Sequence, residues 1–427
     1  MLLRFSASNF GSIRDKQELS MIASSAIKDD PGGLIETPEL RKEKVLPAAV
    51  IYGANASGKS NFIKALAHMR NFVRDSHRAG EPGGRVPLKP FLLDPAYMNT
   101  SSAFCVEFLW NGARYSYGFE ATTEAITAEF LYVWRNGPRS MLFERALQKF
   151  EFGRSLKGRN KVIEDLTRRN SLFLSAAMQN NHDELTEITQ FFRYLQIDLA
   201  ESKPQNTMFK ELAERGIEKR AVNLLREIDT GVSDAQVNEE PLNQYEIDYG
   251  VALAAIYQNK LSSHPLEVKP KLAEITKRLR LGRQAIDGST VFWNLDAESA
   301  GTIQLLSILG PVFRALDEGC VVVIDEFGSR LHTRAAEIVL SLFNNKQTNP
   351  KNAQLIVATH DTNLLNAKGL RRDQVWFTEK DEGGATHLYP LTDIETRKGD
   401  NLEKGYLQGR YGAIPFAGSL ADFVKAR

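Results

Sequence analysis

The sequence has few of the residues that build disulfide frameworks and metal clusters. Its two cysteines, Cys105 and Cys320, each lie in an apolar, strand-like run, and its seven histidines are scattered without the spacing of metal ligands. These observations do not support a disulfide-stabilised scaffold or a zinc cluster.

Long apolar runs and an excess of one charge are also missing. No apolar run approaches the ~18 residues of a membrane-spanning helix, and the apolar part of MLLRFSASNF is too short for a signal peptide. The 54 Lys+Arg residues stand against 53 Asp+Glu, a formal net charge of +1, so any basic surface must be local. With 427 residues the chain is longer than one ordinary domain. We expect a cytoplasmic globular protein that does not bind membranes.

A glycine-rich loop in a strand–loop–helix setting is the strongest feature that the sequence does contain. The apolar run 47–51 leads into GANASGKS, and an amphipathic stretch follows directly. In this setting G-x-x-x-x-G-K-S predicts a nucleoside-triphosphate site, in which Lys59 reaches the β- and γ-phosphates and Ser60 is a ligand of Mg²⁺. The residues predicted to bind ATP in this loop are Gly53, Asn55, Ala56, Ser57, Gly58, Lys59, Ser60 and Asn61.

Two adjacent carboxylates end a later apolar run, CVVVIDEF at 320–327. Such a run is typical of a buried strand, and its tip carries Asp325 and Glu326. We predict that Asp325 holds the Mg²⁺–water shell and that Glu326 is the general base that polarises the attacking water. A strand that merely ends in a polar turn is the alternative, and the presence of Lys59 in the same chain disfavours it.

Two further motifs lie near this strand. The apolar run 354–359 ends in Thr359-His360-Asp361, which places His360 where it can sense the γ-phosphate, although an isolated histidine is usually a surface or core residue. Upstream, Glu298-Ser299-Ala300-Gly301-Thr302 opens a helix, and its N-terminus could bind an anion. Taken alone, this second motif is an ordinary N-cap.

Elsewhere the pattern predicts a β-rich first part and a helical middle. The segments 102–110 and 115–120 alternate in polarity around Asn111-Gly112, which predicts a hairpin. From about residue 180 to 283, stretches such as DELTEITQFFRYL and VKPKLAEITKRLRL have helical periodicity. We interpret this region as a helical insertion.

In their order, these motifs resemble the ABC-type ATPase heads of SMC and recombination-repair proteins. They resemble more closely the short AAA-type ATPases of bacterial anti-phage defence, such as the PARIS-type ATPase subunit, which are relatives of the ATPase half of overcoming-lysogenization-defect (OLD) nucleases. The resemblance covers essentially the whole chain. It is carried by Asn9-Phe10-Gly11-Ser12, the glycine-rich loop, Glu298 to Thr302, Val323 to Glu326, Leu331-His332, Thr359-His360, Arg372-Asp373-Gln374, and the tail segments Leu402 to Tyr406 and Gly409 to Gly412.

The resemblance implies an α/β fold, a P-loop NTPase with an ABC-ATPase-like head of mixed sheets flanked by helices. Residues 1–180 would be the first lobe, 181–285 the helical insertion, and 286–427 the second lobe. Ser299, Gly301 and Thr302 would form the signature that completes the nucleotide site of a partner subunit, although the S-G-G-Q pattern of transport ATPases is missing. Gln179, after the apolar run 171–178, would be the Q-loop ligand of Mg²⁺.

The function implied by the resemblance is an ATP-hydrolysing sensor or scaffold in anti-phage defence. It would form a homodimer or higher homo-oligomer and control a separate effector, a TOPRIM-type nuclease, in response to a phage-encoded trigger. The alternative is an SMC-like DNA-clamping ATPase in DNA repair or restriction. A self-contained nuclease would need a further catalytic domain, for which the sequence leaves little room.

Two basic clusters in the sequence are compatible with nucleic acid as a partner. A solvated helix face and a contact for nucleic acid or an acidic protein both explain such clusters. Their members are Arg154, Lys157, Arg159, Lys161, Arg168 and Arg169 in the first, and Lys269, Lys271, Lys277, Arg278, Arg280 and Arg283 in the second.

Overall fold

The chain forms two compact units in a computed structural model. Unit 1 comprises residues 1–201, 314–329 and 336–427, and unit 2 comprises residues 202–313 and 330–335. The structure describes residues 1–28, 33–135, 137–199, 212, 218–228, 230–241, 244, 247–248, 275–397 and 399–414. These two units do not have the boundaries at 180/181 and 285/286 that we predicted for the two lobes and the insertion. The division into lobes and insertion stays a prediction.

Unit 1 contains a seven-stranded antiparallel sheet. Its strands are β1 (Leu2–Ser8), β2 (Gln17–Ser20), β6 (Ser102–Trp110), β7 (Ala113–Ala121), β8 (Ile126–Trp134), β9 (Ser140–Ala146) and β10 (Lys149–Phe152). They lie in the order β10-β9-β8-β7-β6-β1-β2. Asn111 (φ 45°) and Gly112 (φ 73°) connect β6 to β7 in a two-residue turn, which confirms the predicted hairpin.

A second sheet of unit 1 carries the glycine-rich loop. Its strands are β5 (Ala48–Gly53), β11 (Leu195–Asp198), β15 (Val321–Ile324), β16 (Gln354–Ala358), β17 (Val375–Lys380) and β18 (Thr386–Pro390). They lie in the order β11-β15-β16-β5-β17-β18, and all pairs are parallel except β17 with β18. Every residue of β5, β15 and β16 is buried, as expected for apolar strands covered on both faces. A small pair, β3 (Ile35–Glu36) and β4 (Lys44–Val45), stands apart.

The helices complete an α/β fold with mixed sheets, which confirms the predicted fold class. They are α1 (Lys59–Ala79), α2 (Asn160–Leu166), α3 (Phe173–Gln179), α4 (Asp183–Tyr194), α5 (Glu218–Glu227), α6 (Ala300–Glu318), α7 (Thr333–Phe343) and α8 (Leu402–Leu407). Helix α1 packs on the antiparallel sheet, where the ring of Phe62 lies 5.3 Å from that of Phe5. In the described ranges, no helix has both the length and the apolar character that a membrane crossing requires.

Unit 2 contains a three-stranded antiparallel sheet, and two of its strands lie where the sequence predicts helices. Its strands, in spatial order, are β12 (Asp234–Pro241), β13 (Ile275–Gln284) and β14 (Thr290–Asn294). The helical interpretation, made for about 180–283, is therefore wrong over β12 and over residues 275–283 of β13. Leu279 and Leu281 alternate with Arg278 and Arg280, so the buried leucines share one face of a strand, whereas both arginines form ion pairs with Glu240. Lys269 and Lys271 lie outside the described residues.

Candidate nucleotide site

The glycine-rich loop is packed closely onto the strands β17 and β18. Thr378 on β17 hydrogen-bonds to the hydroxyl of Ser57 at 2.6 Å, and Thr386 on β18 donates to the Ser57 carbonyl at 3.0 Å. A Cβ on Gly53 would overlap Thr378, and one on Gly58 would overlap Thr386. Gly58 also has a φ of 112°, which side chains other than glycine rarely allow. The two glycines are therefore required by packing as well as by backbone conformation.

Lys59 folds back over the loop. Its Nζ donates to the carbonyl oxygens of Gly53 at 2.7 Å and Ala54 at 3.0 Å. Burial lowers the pKa of Lys59 to about 8, although the charges of Asp325 and Glu326 act in the opposite direction. Two backbone carbonyl oxygens of the loop thus hold the ammonium of Lys59 next to it.

Two carboxylates follow β15 in a constrained turn. The backbone N–H of Asp325 donates to the carbonyl of Asp198 on β11, and its Oδ1 accepts from the N–H of Glu326, both at 3.0 Å. Asp325 is buried, whereas Glu326 is exposed. The φ of Glu326 is 54°, in the left-handed region, where a residue other than glycine costs of order 1–3 kcal/mol. Such strain persists where the surrounding structure fixes a side chain for function.

His360 follows β16, the strand next to β15. The hydroxyl of Thr359 donates to the carbonyl of Phe327 at 2.6 Å, which links the histidine turn to the carboxylate turn. Desolvation and the positive charge of Lys59 lower the pKa of His360 below its usual range. Both effects favour the neutral imidazole.

These elements line one cavity of about 310 Å³ in unit 1. Because the four parallel strands β15, β16, β5 and β17 end at the same edge of their sheet, the residues that follow them meet there. The lining residues are Asn55, Ala56, Ser57, Gly58, Lys59, Ser60, Asn61, Asp325, Glu326, His360 and Lys380. The loop, both carboxylates and the histidine predicted from the sequence are thus brought together.

A comparison with models of protein families identifies the family of the chain. The family model described as "AAA domain, putative AbiEii toxin, Type IV TA system" matches residues 48–366. The chain belongs to this AAA-domain family. The match extends from β5 to the turn after His360, and therefore spans every residue predicted for the site. A comparison with curated proteins found no match.

Solved structures similar to this AAA-domain chain include SMC heads. The SMC head domain from Thermotoga maritima shares 16% identity over 92% of this chain and 99% of its own, with a TM-score of 0.40. An SmcHead bound to the C-winged helix domain of ScpA shares 13% identity over 91% of this chain and 96% of its own, with a TM-score of 0.43. The third is an Smc head domain with an extended coiled coil, bound to the C-terminal domain of ScpA derived from Pyrococcus furiosus. It shares 11% sequence identity over 92% of this chain and 97% of its own, with a TM-score of 0.38.

Gln179 does not lie in the cavity. It is the last residue of α3, and its side chain is exposed. Ser175 of this helix accepts a hydrogen bond from the N–H of His77 at 3.1 Å. His77 lies about 27 Å along α1 from Lys59, at ~1.5 Å per residue. The predicted role of Gln179 as a magnesium ligand does not fit this geometry.

The predicted signature lies in unit 2, at the start of α6. The hydroxyl of Ser299 accepts from the N–H of Thr302 at 3.1 Å and hydrogen-bonds to its hydroxyl at 2.9 Å. The preceding Glu298 is buried and accepts from both terminal nitrogens of Arg283. These contacts confirm the N-cap. A contact of Ser299, Gly301 and Thr302 with a partner's nucleotide stays a prediction.

Sequence reasoning missed three residues of β17 and β18. Thr378 and Thr386 hydrogen-bond to Ser57 of the loop, and Lys380 lines the cavity. The apolar run 374–378 is recognisable as a strand, but its position beside β5 depends on the sheet order. No local signal in the sequence identifies these residues.

Proposed function

We propose that this chain is an ATPase whose nucleotide binds in the 310 Å³ cavity. The observation that carries the proposal is the convergence of the glycine-rich loop, Asp325, Glu326 and His360 at one edge of one sheet. Loop N–H groups and the N-terminus of α1 suit phosphate oxygens, and Lys59 supplies a compensating positive charge. A ring N–H of His360 is suited to donate a hydrogen bond to the γ-phosphate.

The side chains at the cavity also fit a magnesium ion. The hydroxyl of Ser60 and the carboxylate of Asp325 line the same space, and Mg²⁺ prefers oxygen ligands of this kind. When bound, the ion would neutralise part of the phosphate charge. Gln179 is not part of this set.

In the proposed reaction, Glu326 accepts a proton from a water molecule whose oxygen attacks the γ-phosphorus. The bond between that phosphorus and the bridging oxygen breaks, and ADP leaves with the electron pair. Glu326 suits the role because its carboxylate is exposed at the cavity on a backbone fixed in the left-handed region.

We assign Ser299, Gly301 and Thr302 to the nucleotide site of a second copy of the chain. Support comes from the resemblance to ABC-type heads and from the exposed side chain of Ser299 at the start of a 19-residue helix. A site assembled in this way makes nucleotide binding a switch for a homodimer or higher homo-oligomer.

The effector that this switch controls is proposed to be a separate TOPRIM-type nuclease in anti-phage defence, released by a phage-encoded trigger as in PARIS-type systems. The family description, which names a toxin and a TA system, supports a defence role. Co-purification with the product of the adjacent gene tests this part. Arg278 and Arg280 are engaged by Glu240, so they are weaker candidates for docking an acidic effector than the sequence indicates.

The catalytic assignment is tested with Glu326→Gln. The amide cannot accept the proton, so ATP turnover should fall by at least about 100-fold, within the range for general bases, while Mg²⁺·ATP still binds. Turnover by the variant comparable to that of the wild type would contradict the role of Glu326. Glu382→Gln, at an exposed carboxylate after β17, is the matched control.

A DNA-clamping ATPase is the second candidate function. The first basic cluster favours it, because the side chains of Arg154, Lys157 and Arg159 are exposed close together in sequence, just before α2. The test is whether duplex DNA stimulates hydrolysis and whether its binding weakens steeply with salt. If the wild type shows both and retains no neighbouring gene product, the clamp should replace the effector-control proposal.

A further inference from the structure

Lys380 is a cavity residue that belongs to none of the phosphate, carboxylate or histidine motifs. It is the last residue of β17 and is the cross-strand partner of Thr386 on β18. Residues paired in this way point to the same face of the sheet, and so do residues two apart, such as Thr378 and Lys380. Because both threonines contact Ser57, this face carries the glycine-rich loop. The side chain of Lys380 therefore extends past the loop into the cavity.

The charge of Lys380 is not neutralised by the two acids that flank it. Glu379 points to the other face, where it accepts from the hydroxyl of Tyr389 at 3.1 Å and the N–H of Ala413 at 3.2 Å. Asp381 forms an ion pair with Arg14 at 3.2 Å. In the described part of the chain, the ammonium of Lys380 has no hydrogen-bond or ion-pair partner.

The strand order places Lys380 on a particular flank of the cavity. Asp325 and Glu326 follow β15 and His360 follows β16, which lie on one side of β5, whereas β17 lies on the other. The γ-phosphate is expected next to the carboxylates and the histidine. The opposite flank is left for the part of the nucleotide that is not transferred.

We propose that Lys380 is a phosphate-binding residue that contacts the α/β-diphosphate of the nucleotide. The inference rests on the proposed nucleotide site and extends it by a second lysine outside the G-x-x-x-x-G-K-S motif. An ammonium in this position recognises the diphosphate that ADP and ATP share, so it contributes to the affinity for both.

The test compares Mg²⁺·ADP and a Mg²⁺-bound non-hydrolysable ATP analogue by calorimetric titration of the full chain. Lys380→Ala should weaken both ligands by a similar factor of about ten, as expected for the loss of one charge-assisted hydrogen bond. Lys380→Arg should restore most of the affinity, and Lys149→Ala, at an exposed lysine of β10, is the matched control.

Three results would overturn the inference. Unchanged affinity for both ligands together with unchanged turnover would show that Lys380 does not contact the nucleotide. A loss confined to the ATP analogue would place the lysine at the γ-phosphate, and a fall in saturated turnover with unchanged affinity would make it a catalytic group. If the wild type bound neither ligand, the proposed function itself would fail, and that result differs from a failure seen only in the variant. A thermal midpoint equal to that of the wild type shows that the variant is folded.

Discussion

The two units differ in what their candidate residues can do alone. In unit 1, Lys59, Asp325, Glu326 and His360 converge on one cavity, where we propose charge compensation, a metal ligand and a base. In unit 2, the hydroxyl of Ser299 is engaged in capping its own helix. In the proposed function, the chemistry therefore belongs to unit 1, and Ser299 of unit 2 contacts the nucleotide of a second chain.

Lys59→Ala gives the largest expected effect and tests whether unit 1 alone binds the nucleotide. Without the ammonium the triphosphate charge is uncompensated, so affinity for Mg²⁺·ATP should fall by about 100-fold or more. Calorimetric titration measures this, with Lys42→Ala at an exposed lysine as the control. Retained affinity would show that the nucleotide is not bound at this loop.

The pH dependence of binding tests the same lysine without a substitution. Because burial lowers the pKa of Lys59 to about 8, the free protein holds this proton below pH 8 and loses it above. Phosphate favours the charged form, so affinity for Mg²⁺·ATP should fall by only about twofold from pH 7 to 8 and by nearly tenfold from pH 8.5 to 9.5. Equal affinity over that last interval would contradict the lowered pKa.

Gln179→Ala gives the smallest expected effect. Since Gln179 is exposed at the end of α3, its loss should change turnover and affinity for Mg²⁺·ATP by no more than about twofold, as for an ordinary surface position. Steady-state kinetics at varied Mg²⁺ measure this. A marked rise in the Mg²⁺ concentration needed for half-maximal rate would restore the glutamine as a magnesium ligand.

The predicted parts of the site are those encoded in short stretches of sequence. The loop, Asp325 with Glu326, and His360 each follow an apolar run, and the carboxyl ends of parallel strands bring such residues together. Thr378 and Lys380 could not be identified in this way, because their roles depend on the place of β17 beside β5 in the sheet order. That order is a property of the whole fold.

Strand β13 of unit 2 shows why a short segment that mixes charged and apolar residues can be mistaken for a helix. The composition around Leu279 and Leu281 is compatible with a helix. In so short a run, the spacing of apolar residues does not distinguish a helix from a strand. Pairing with β12 on one side and β14 on the other decides for a strand. The partner β14 follows β13 in a short hairpin, whereas β12 begins at residue 234, so the contacts with β12 are distant in sequence.

The central claim is that unit 1 of one chain and Ser299 of another form a single ATPase site. Ser299→Arg should abolish hydrolysis and leave the affinity of the isolated chain for Mg²⁺·ATP nearly unchanged, because the cavity of unit 1 is intact. Chains carrying Lys59→Ala should also be inactive, since their own loop cannot hold the triphosphate.

Mixing the two variants tests the claim most directly. A mixed dimer has one intact composite site, and random pairing makes about half of the dimers mixed, so about a quarter of the wild-type ATPase rate should return. The measurement is the hydrolysis rate of the equimolar mixture after the subunits have exchanged. A rate no higher than that of either variant alone would contradict the shared site and place the whole reaction within one chain.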